Sequence, residues 1–145
     1  MARTPQTYEN HARYVPLFHF GLFGILLVNF VYAAIQLVKA FTAGNVVAAL
    51  MAVAYFLIFF FMRTFATTVQ DRIIRLEVQL RLERILPADL KPRIRELSRP
   101  QLIALRFAGD GEMAGLVREV LEKNLQRRGE IKKKIRDWQA DHFRV

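Results

Sequence analysis

Histidine is the side chain of this sequence best suited to cofactor chemistry, and His11, His19 and His142 carry it. A histidine within an apolar helix can ligate the metal of a haem or a chlorin. Two such ligands usually come from facing helices, yet His11 and His19 lie at the same end of one apolar segment. His19 is therefore kept as a cofactor-binding candidate only, and no cofactor and no metal site is predicted.

Acid–base chemistry has few other candidates. Asp141 and His142 are adjacent, and Asp137 lies one turn earlier, but neighbouring residues on a helix point to different faces and do not form a dyad. The sequence has no Gly-rich phosphate loop and no nucleophile elbow. It also has no cysteine, which excludes disulfides and thiolate sites. No catalytic residue is predicted, and the protein is not expected to be an enzyme.

Basic residues supply the remaining binding chemistry. The net charge is +9, and beyond Ala66 the chain has 18 Lys/Arg against 12 Asp/Glu. Such a surplus suits anionic headgroups beside a membrane. Nucleic acid fits less well because no aromatic patch is interleaved, and a solvated helix face is a further alternative. The candidate headgroup or phosphate contacts are Arg63, Arg72, Arg75, Arg127, Arg128, Lys132, Lys133, Lys134 and Arg136.

Two long apolar segments precede these residues. Residues 15–38 carry no formal charge, and residues 46–62 form a second run. Both approach the roughly 20 residues that a helix needs to cross a membrane. The short link "KAFTAGN" predicts antiparallel neighbours and hence a transmembrane hairpin. A cleavable signal peptide is the alternative for the first segment, but its apolar part is too long and a second span follows at once.

Flanking charges predict the orientation of the hairpin. Its loop carries Lys39 alone, whereas the flanks carry several arginines: Arg3, Arg13, Arg63, Arg72, Arg75, Arg81 and Arg84. The positive-inside rule then places both termini in the cytoplasm. The predicted organisation is an N-terminal tail at 1–14, a transmembrane hairpin at 15–66 (helices at about 15–38 and 45–66) and a cytoplasmic basic helical domain at 67–145.

Polar and small residues interrupt the apolar segments. Asn29 and Gln36 are seven residues apart and share a helix face, so they are expected to hydrogen-bond across the hairpin or to a second copy. A ligand is the alternative partner. In the second segment a stripe of small residues repeats every fourth position and allows another helix to approach closely: Gly44, Ala48 and Ala52.

The stretch "IRLEVQLRLE", residues 74–83, alternates apolar and polar residues as a half-buried strand would. Its Leu, Arg, Glu and Gln are helix formers, and no breaker occurs between Thr64 and Pro87. We therefore predict one helix over about 45–86. Val69, Ile73, Leu76 and Leu80 form a heptad seam, which is expected to pack on the C-terminal helices or on another helix. A second row consists of Ile74, Val78, Leu82 and Ile85.

Helix signals continue to the C-terminus. "LPADLKPRIREL" predicts a short helix, and "SRPQLIALRFA" begins with Ser98 as N-cap and Gln101 at the capping-box position. Asp110 is the predicted cap of "GEMAGLVREVLEKNL". The final "RRGEIKKKIRDWQADHFRV" shows helical spacing of its apolar residues. The fold class is therefore an all-α membrane protein, with a small bundle of three or four short helices after the long helix.

Three stretches, "YENHARYVPLFHF", "RTFATTVQDRIIRLEVQLRLERILP" and "IKKKIRDWQADHFRV", together resemble an uncharacterised family of small bacterial two-span inner-membrane proteins with a basic helical tail. The resemblance covers nearly the full chain. It implies the fold, a bacterial origin and an inner-membrane location. The family is a domain of unknown function, so the resemblance implies no activity, cofactor or catalytic residue.

These observations favour a non-enzymatic membrane protein that acts as a homo-oligomeric scaffold or as an accessory subunit of an inner-membrane complex. Its expected partners are the lipid bilayer and itself or another membrane protein. A membrane-tethered module that binds anionic lipid or nucleic acid is the first alternative. A cofactor-binding subunit that uses His19 is the second.

Overall fold

The computed structural model describes residues 6–10 and 14–141, so His11, His142, Arg3 and Arg13 lie outside the described residues. A π-helical turn at Leu17–Leu22 precedes helices α1 (Phe23–Lys39) and α2 (Ala43–Ile85). A 3₁₀ helix (Lys91–Glu96) and helices α3 (Arg99–Leu105), α4 (Asp110–Glu122) and α5 (Arg128–Lys133) follow. Within the described ranges there is no strand, only an isolated bridge between Ala108 and Trp138. The predicted all-α class is confirmed.

Helix α2 shows which secondary structure the alternating stretch adopts. It runs unbroken over Ala43–Ile85 and includes all of residues 74–83, so the helical interpretation is confirmed and the strand is excluded. The observed bounds differ from the predicted ones by about two residues at the start and one at the end. The helix ends two residues before Pro87, as expected because a proline disfavours helical backbone in the residue that precedes it.

The first apolar segment begins differently from the prediction. Its first turn, Leu17–Leu22, is π-helical, and the regular α-helix starts only at Phe23. The His19 ring folds back onto this turn, with Nδ1 3.1 Å from the Val15 nitrogen and 3.0 Å from the Val15 oxygen. A side-chain contact of this kind competes with the regular backbone ladder. Hydrophobicity patterns do not report such a local rearrangement.

The described chain divides into two compact units. The apolar unit is Arg13–Thr67, and the charged unit combines Met1–Ala12 with Thr68–Val145. Helix α2 contributes its first part to the apolar unit and its remainder to the charged unit.

Aromatic rings join α1 and its preceding turn to α2 within the apolar unit. Phe18 stacks on Phe59 with 4.6 Å between ring centroids, and Phe30 meets Phe56 edge-on at 5.5 Å. Phe23 lies 6.0 Å from both Phe56 and Phe59. Aromatic pairs at these separations add about 0.5–1.5 kcal/mol each beyond their burial. From Phe18 to Phe30 in the first segment, the contacted residue of the second segment moves back from Phe59 to Phe56, as in an antiparallel pair.

The link between α1 and α2 is closed by Asn45. Its side-chain amide donates to the carbonyl oxygens of Gln36 at 3.0 Å and Ala40 at 2.7 Å. Its backbone N–H donates to the Thr42 hydroxyl at 3.2 Å. The Gln36 oxygen also accepts the Ala40 N–H and the Ala40 oxygen accepts the Thr42 N–H, both at 3.0 Å, so Asn45 supplies a second donor to each carbonyl at the end of α1.

The described residues of the charged unit surround an apolar core. The second row of α2 packs there against the short helices, and each fully buried aliphatic side chain contributes about 1.5–3 kcal/mol relative to exposure. The large buried core residues are Ile74, Val78, Leu82, Leu86, Leu90, Ile94, Leu97, Leu102, Ile103, Leu105, Met113, Leu116, Val117, Val120 and Ile131.

Two C-terminal predictions need correction. Helix α4 starts at Asp110 with Gly109 as N-cap, so Asp110 is the first helical residue rather than the cap. Its carboxylate is used instead by Arg81, whose Nε donates to Oδ1 at 2.7 Å.

The final segment is not one helix. Helix α5 ends at Lys133, and the chain then runs along the α3–α4 turn. Gly109 N–H donates to the Asp137 oxygen at 2.8 Å, and Gln139 N–H donates to the Phe107 oxygen at 2.7 Å. These tertiary hydrogen bonds replace the helical ones that local spacing predicts.

Candidate functional site

The outer surface of the apolar unit is its main chemical feature. Both Leu17–Lys39 and Ala43–Ile85 are long and apolar enough to cross a membrane, by length and composition. A core helix of a soluble protein would be mostly buried, yet only 6% of the most apolar 18-residue stretch in each of these two segments is buried. Contiguous exposed apolar surface of this extent marks an interaction surface.

The predicted polar contacts of the spans occupy different positions. Asn29 is exposed on α1 in an open groove with Gly21, Gly24 and Tyr32. Gln36 is half-buried, and its backbone oxygen accepts the bond from Asn45. Because this bond uses the backbone of Gln36, the predicted side-chain contacts of Asn29 and Gln36, across the hairpin or with a second copy, both stay predictions.

The predicted small-residue stripe is divided between two environments. Ala52 is buried, whereas Gly44 and Ala48 are exposed. Of the described residues in the apolar unit, only Ala33 and Ala52 are buried. Small side chains at these two positions permit close helix approach. The packing role of Gly44 and Ala48 stays a prediction.

His19 has a local structural role. Besides its contact with the Val15 backbone, its ring lies edge-on to Tyr14 at 5.6 Å and to Phe18 at 5.3 Å. In the described part of the chain, no three His, Asp or Glu residues cluster as a metal site. Cofactor ligation by His19 therefore stays a prediction.

The N-terminal segment pairs with the end of the chain inside the charged unit. The Gln6 side-chain amide accepts the Asp141 N–H at 2.8 Å and donates to the Asp141 oxygen at 3.2 Å. Lys133 lies 5.8 Å from the Tyr8 ring centroid. Chain from before the first apolar helix and chain from after the second thus belong to one compact unit.

Several members of the predicted basic face have partners within the charged unit. Arg128 pairs with Asp71 at 3.2 Å, and Lys134 pairs with Glu119 at 2.6 Å. Lys132 is buried, with Nζ 4.7 Å from the centroid of Phe107. Arg128, Lys132 and Lys134 therefore have structural roles within the charged unit.

The remaining predicted phosphate contacts lie at the surface. Arg127, Lys133 and Arg136 are exposed in the C-terminal segment, and Arg72 and Arg75 are exposed on α2. Arg63 is half-buried and belongs to the apolar unit. Binding of headgroups or phosphate by these cations stays a prediction.

Glu119 links α4 to the segment after α5. Its carboxylate accepts hydrogen bonds from Lys123 at 2.8 Å and Lys134 at 2.6 Å. These two hydrogen bonds, of which the one from Lys123 has the larger effect, lower the pKa of Glu119 from 4.5 to about 2. The group is therefore ionised over the physiological range and fastens two elements electrostatically.

Arg81 is a residue whose role sequence patterns did not reveal. Besides Asp110, it donates to the carbonyl oxygens of Arg106 at 3.2 Å and Ala108 at 2.7 Å. Arg106 also pairs with Asp141, at 3.2 Å. The polar depression around these groups contains both arginines and carboxylates, so its charges compensate one another. The sequence signal that could have revealed this role is the position of Arg81 directly before Leu82 of the second row.

The two apolar rows of α2 have opposite environments. Ile74, Val78 and Leu82 are buried, whereas the seam residues Val69, Ile73, Leu76 and Leu80 are 57, 52, 59 and 59% exposed. Leu76 and Leu80 also line a groove with Lys91 and Arg95. Within the described residues, the C-terminal helices pack on the second row and not on the seam, and the packing of the seam on another helix stays a prediction.

These features define an all-helical protein with two helices fit to span a membrane and a charged unit built around the end of the second. The chain matches the Family of unknown function (DUF6526) over residues 1–145 and belongs to it. Comparison with curated proteins and with solved structures finds no match.

Proposed function

We propose that this is a non-enzymatic integral membrane protein of the bacterial inner membrane. Helix α1 and the first part of α2 form its transmembrane hairpin, and both termini lie in the cytoplasm. The charged unit offers surfaces on which the protein assembles, as a homo-oligomeric scaffold or as a small accessory subunit of a larger complex.

The pairing of the two chain ends carries this proposal. Gln6 and Asp141 belong to one unit, yet two long apolar helices separate them in sequence. A chain whose ends fold together must cross a bilayer an even number of times. Two crossings satisfy that condition and agree with the arginines that flank both ends.

The exposed apolar surface supports the same proposal. Water would not tolerate apolar side chains over most of two helices, whereas lipid or other apolar helices would cover them. Asn29 and the half-buried Gln36 then supply polar groups for helix contacts, which are typically worth about 1 kcal/mol.

Binding of anionic lipid headgroups is a second candidate function. The ion pairs of Arg128 and Lys134 reduce the number of cations in the basic run that are available for it. Arg127, Lys133 and Arg136 are exposed and lie in the same unit as the helix that leaves the apolar segment. Anionic lipid attracts such cations at about 1 kcal/mol each.

Crosslinking of the full chain in native membranes, followed by capture in mild detergent, tests assembly. The proposal expects a homo-oligomeric species or a membrane partner at fixed stoichiometry. A strictly monomeric chain with no retained partner would contradict it. A tagged, unrelated two-span protein at equal abundance is the control.

A further inference from the structure

The exposed seam of α2 has a sequence pattern that specifies its own partner. Val69, Ile73, Leu76 and Leu80 follow four–three–four spacing over three turns. Each is more than half exposed, while the buried row on the same helix is already covered by the core. A heptad seam left open in this way fits a second helix with the same spacing.

The charges beside the seam identify that helix. With Ile73 and Leu80 at a, and Val69 and Leu76 at d, Arg72 occupies a g position and Glu77 the following e position. Both side chains are exposed. In a parallel two-stranded coiled coil, a g residue lies beside the next e residue of the other helix. Arg72 of one copy then meets Glu77 of a second copy, and two-fold symmetry forms the pair twice.

An antiparallel pair does not offer this match. There g positions face g positions and e positions face e positions, so Arg72 cannot reach Glu77 of the other copy. The seam also has a natural end, because Glu83 occupies the next d position after Leu80. We infer that the segment Val69–Leu80 is a parallel self-association seam, on which two copies of this chain dimerise. This inference rests on the proposed assembly role and names its partner.

Because the seam is short, we expect it to dimerise when both copies lie in the same membrane, where their effective concentration is high. The chain contains no cysteine, so single cysteines can be introduced without a background. Ile73→Cys, Leu76→Cys and Leu80→Cys test the seam. Arg75→Cys, exposed on the same helix but outside the seam, is the matched control.

Oxidation of the full-length variants in native membranes should give disulfide-linked dimers at all three seam positions, at least fivefold above Arg75→Cys. Same-residue crosslinks at successive a and d positions identify a parallel pair, because an antiparallel pair brings identical residues together only near its midpoint. Equal crosslinking at Arg75→Cys and the seam would overturn the inference.

Charge exchange supplies a second test. In the Ile73→Cys background, Arg72→Glu or Glu77→Arg alone should lower dimer yield severalfold, and the two together should restore it. Failure of the double exchange to restore the yield would refute the parallel pairing.

Native mass measurement of the cysteine-free chain in mild detergent separates the two proposals. An oligomer without seam crosslinks would overturn this inference alone. A monomer with no partner and no seam crosslinks would overturn both.

Discussion

Gly109 shows how one residue governs the path of the C-terminal segment. A Cβ added there would overlap Asp137 Oδ2 and would lie 3.0 Å from the Cβ of Asp137. The backbone angles of Gly109, φ −66° and ψ 154°, are open to any residue, so the constraint is space rather than conformation. Asp137 approaches closely because its carbonyl accepts the Gly109 N–H.

Gly109→Ala is therefore expected to lower the free energy of unfolding by about 1–2 kcal/mol, since the added methyl must displace Asp137. Gly115→Ala, within α4 and with open space around its Cβ, is the matched control. It should instead raise stability by about 0.5–1 kcal/mol through helix propensity. Urea unfolding of the full chain in mild detergent, followed by the fluorescence of the single Trp138, measures both. Equal effects of the two changes would refute the close approach.

Glu119 makes stability depend on acid. Its pKa is lowered to about 2 by hydrogen bonds from Lys123 and Lys134, against an ordinary value of 4.5. A lowered pKa means that its stabilising contribution is complete above about pH 4.5 and is lost as the pH falls towards 2. The unfolding temperature should fall over this window, and Glu119→Gln should flatten that part of the curve. An unchanged pH profile in the variant would contradict the assignment.

At the scale of elements, α2 separates side chains that an alternating pattern places together. In a strand, Leu80 and Leu82 would share one face. In the helix, Leu82 is fully buried and Leu80 is 59% exposed. The apolar alternation thus divides into a core row and an open seam.

Leu82→Ala should cost about 2–5 kcal/mol of folding free energy because it leaves a cavity. In protein dilute enough to be monomeric, Leu80→Ala should change it by no more than about 0.5 kcal/mol, because Leu80 lies outside the core of the single chain. The same urea titration compares them. Similar losses for both variants would contradict the helical register.

Sequence patterns predict the elements that depend on local chemistry. Composition without a breaker predicts α2, and the capping position of Gln101 is confirmed, since its Oε1 accepts the Ser98 N–H at 2.7 Å. Patterns do not predict which apolar row faces the core, because both rows have similar residues. The course of the chain after Lys133 is likewise decided by tertiary bonds to Phe107 and Gly109, which local spacing cannot report.

At the scale of the molecule, the chain joins two kinds of surface. The apolar unit exposes side chains suited to lipid, and the charged unit has a core with ion pairs at its surface. The chain segments that flank the apolar helices are both in the charged unit. This arrangement is the basis for the proposed hairpin anchor with cytoplasmic ends.

Site-specific labelling tests that topology most directly. Phe41→Cys lies in the exposed link between α1 and α2, and Arg127→Cys lies in the exposed chain before α5. With a membrane-impermeant maleimide on spheroplasts, we expect Phe41→Cys to be labelled at once and Arg127→Cys to be labelled only after permeabilisation. Equal labelling of both positions before permeabilisation, or recovery of the chain in the soluble fraction, would contradict a transmembrane hairpin with cytoplasmic ends.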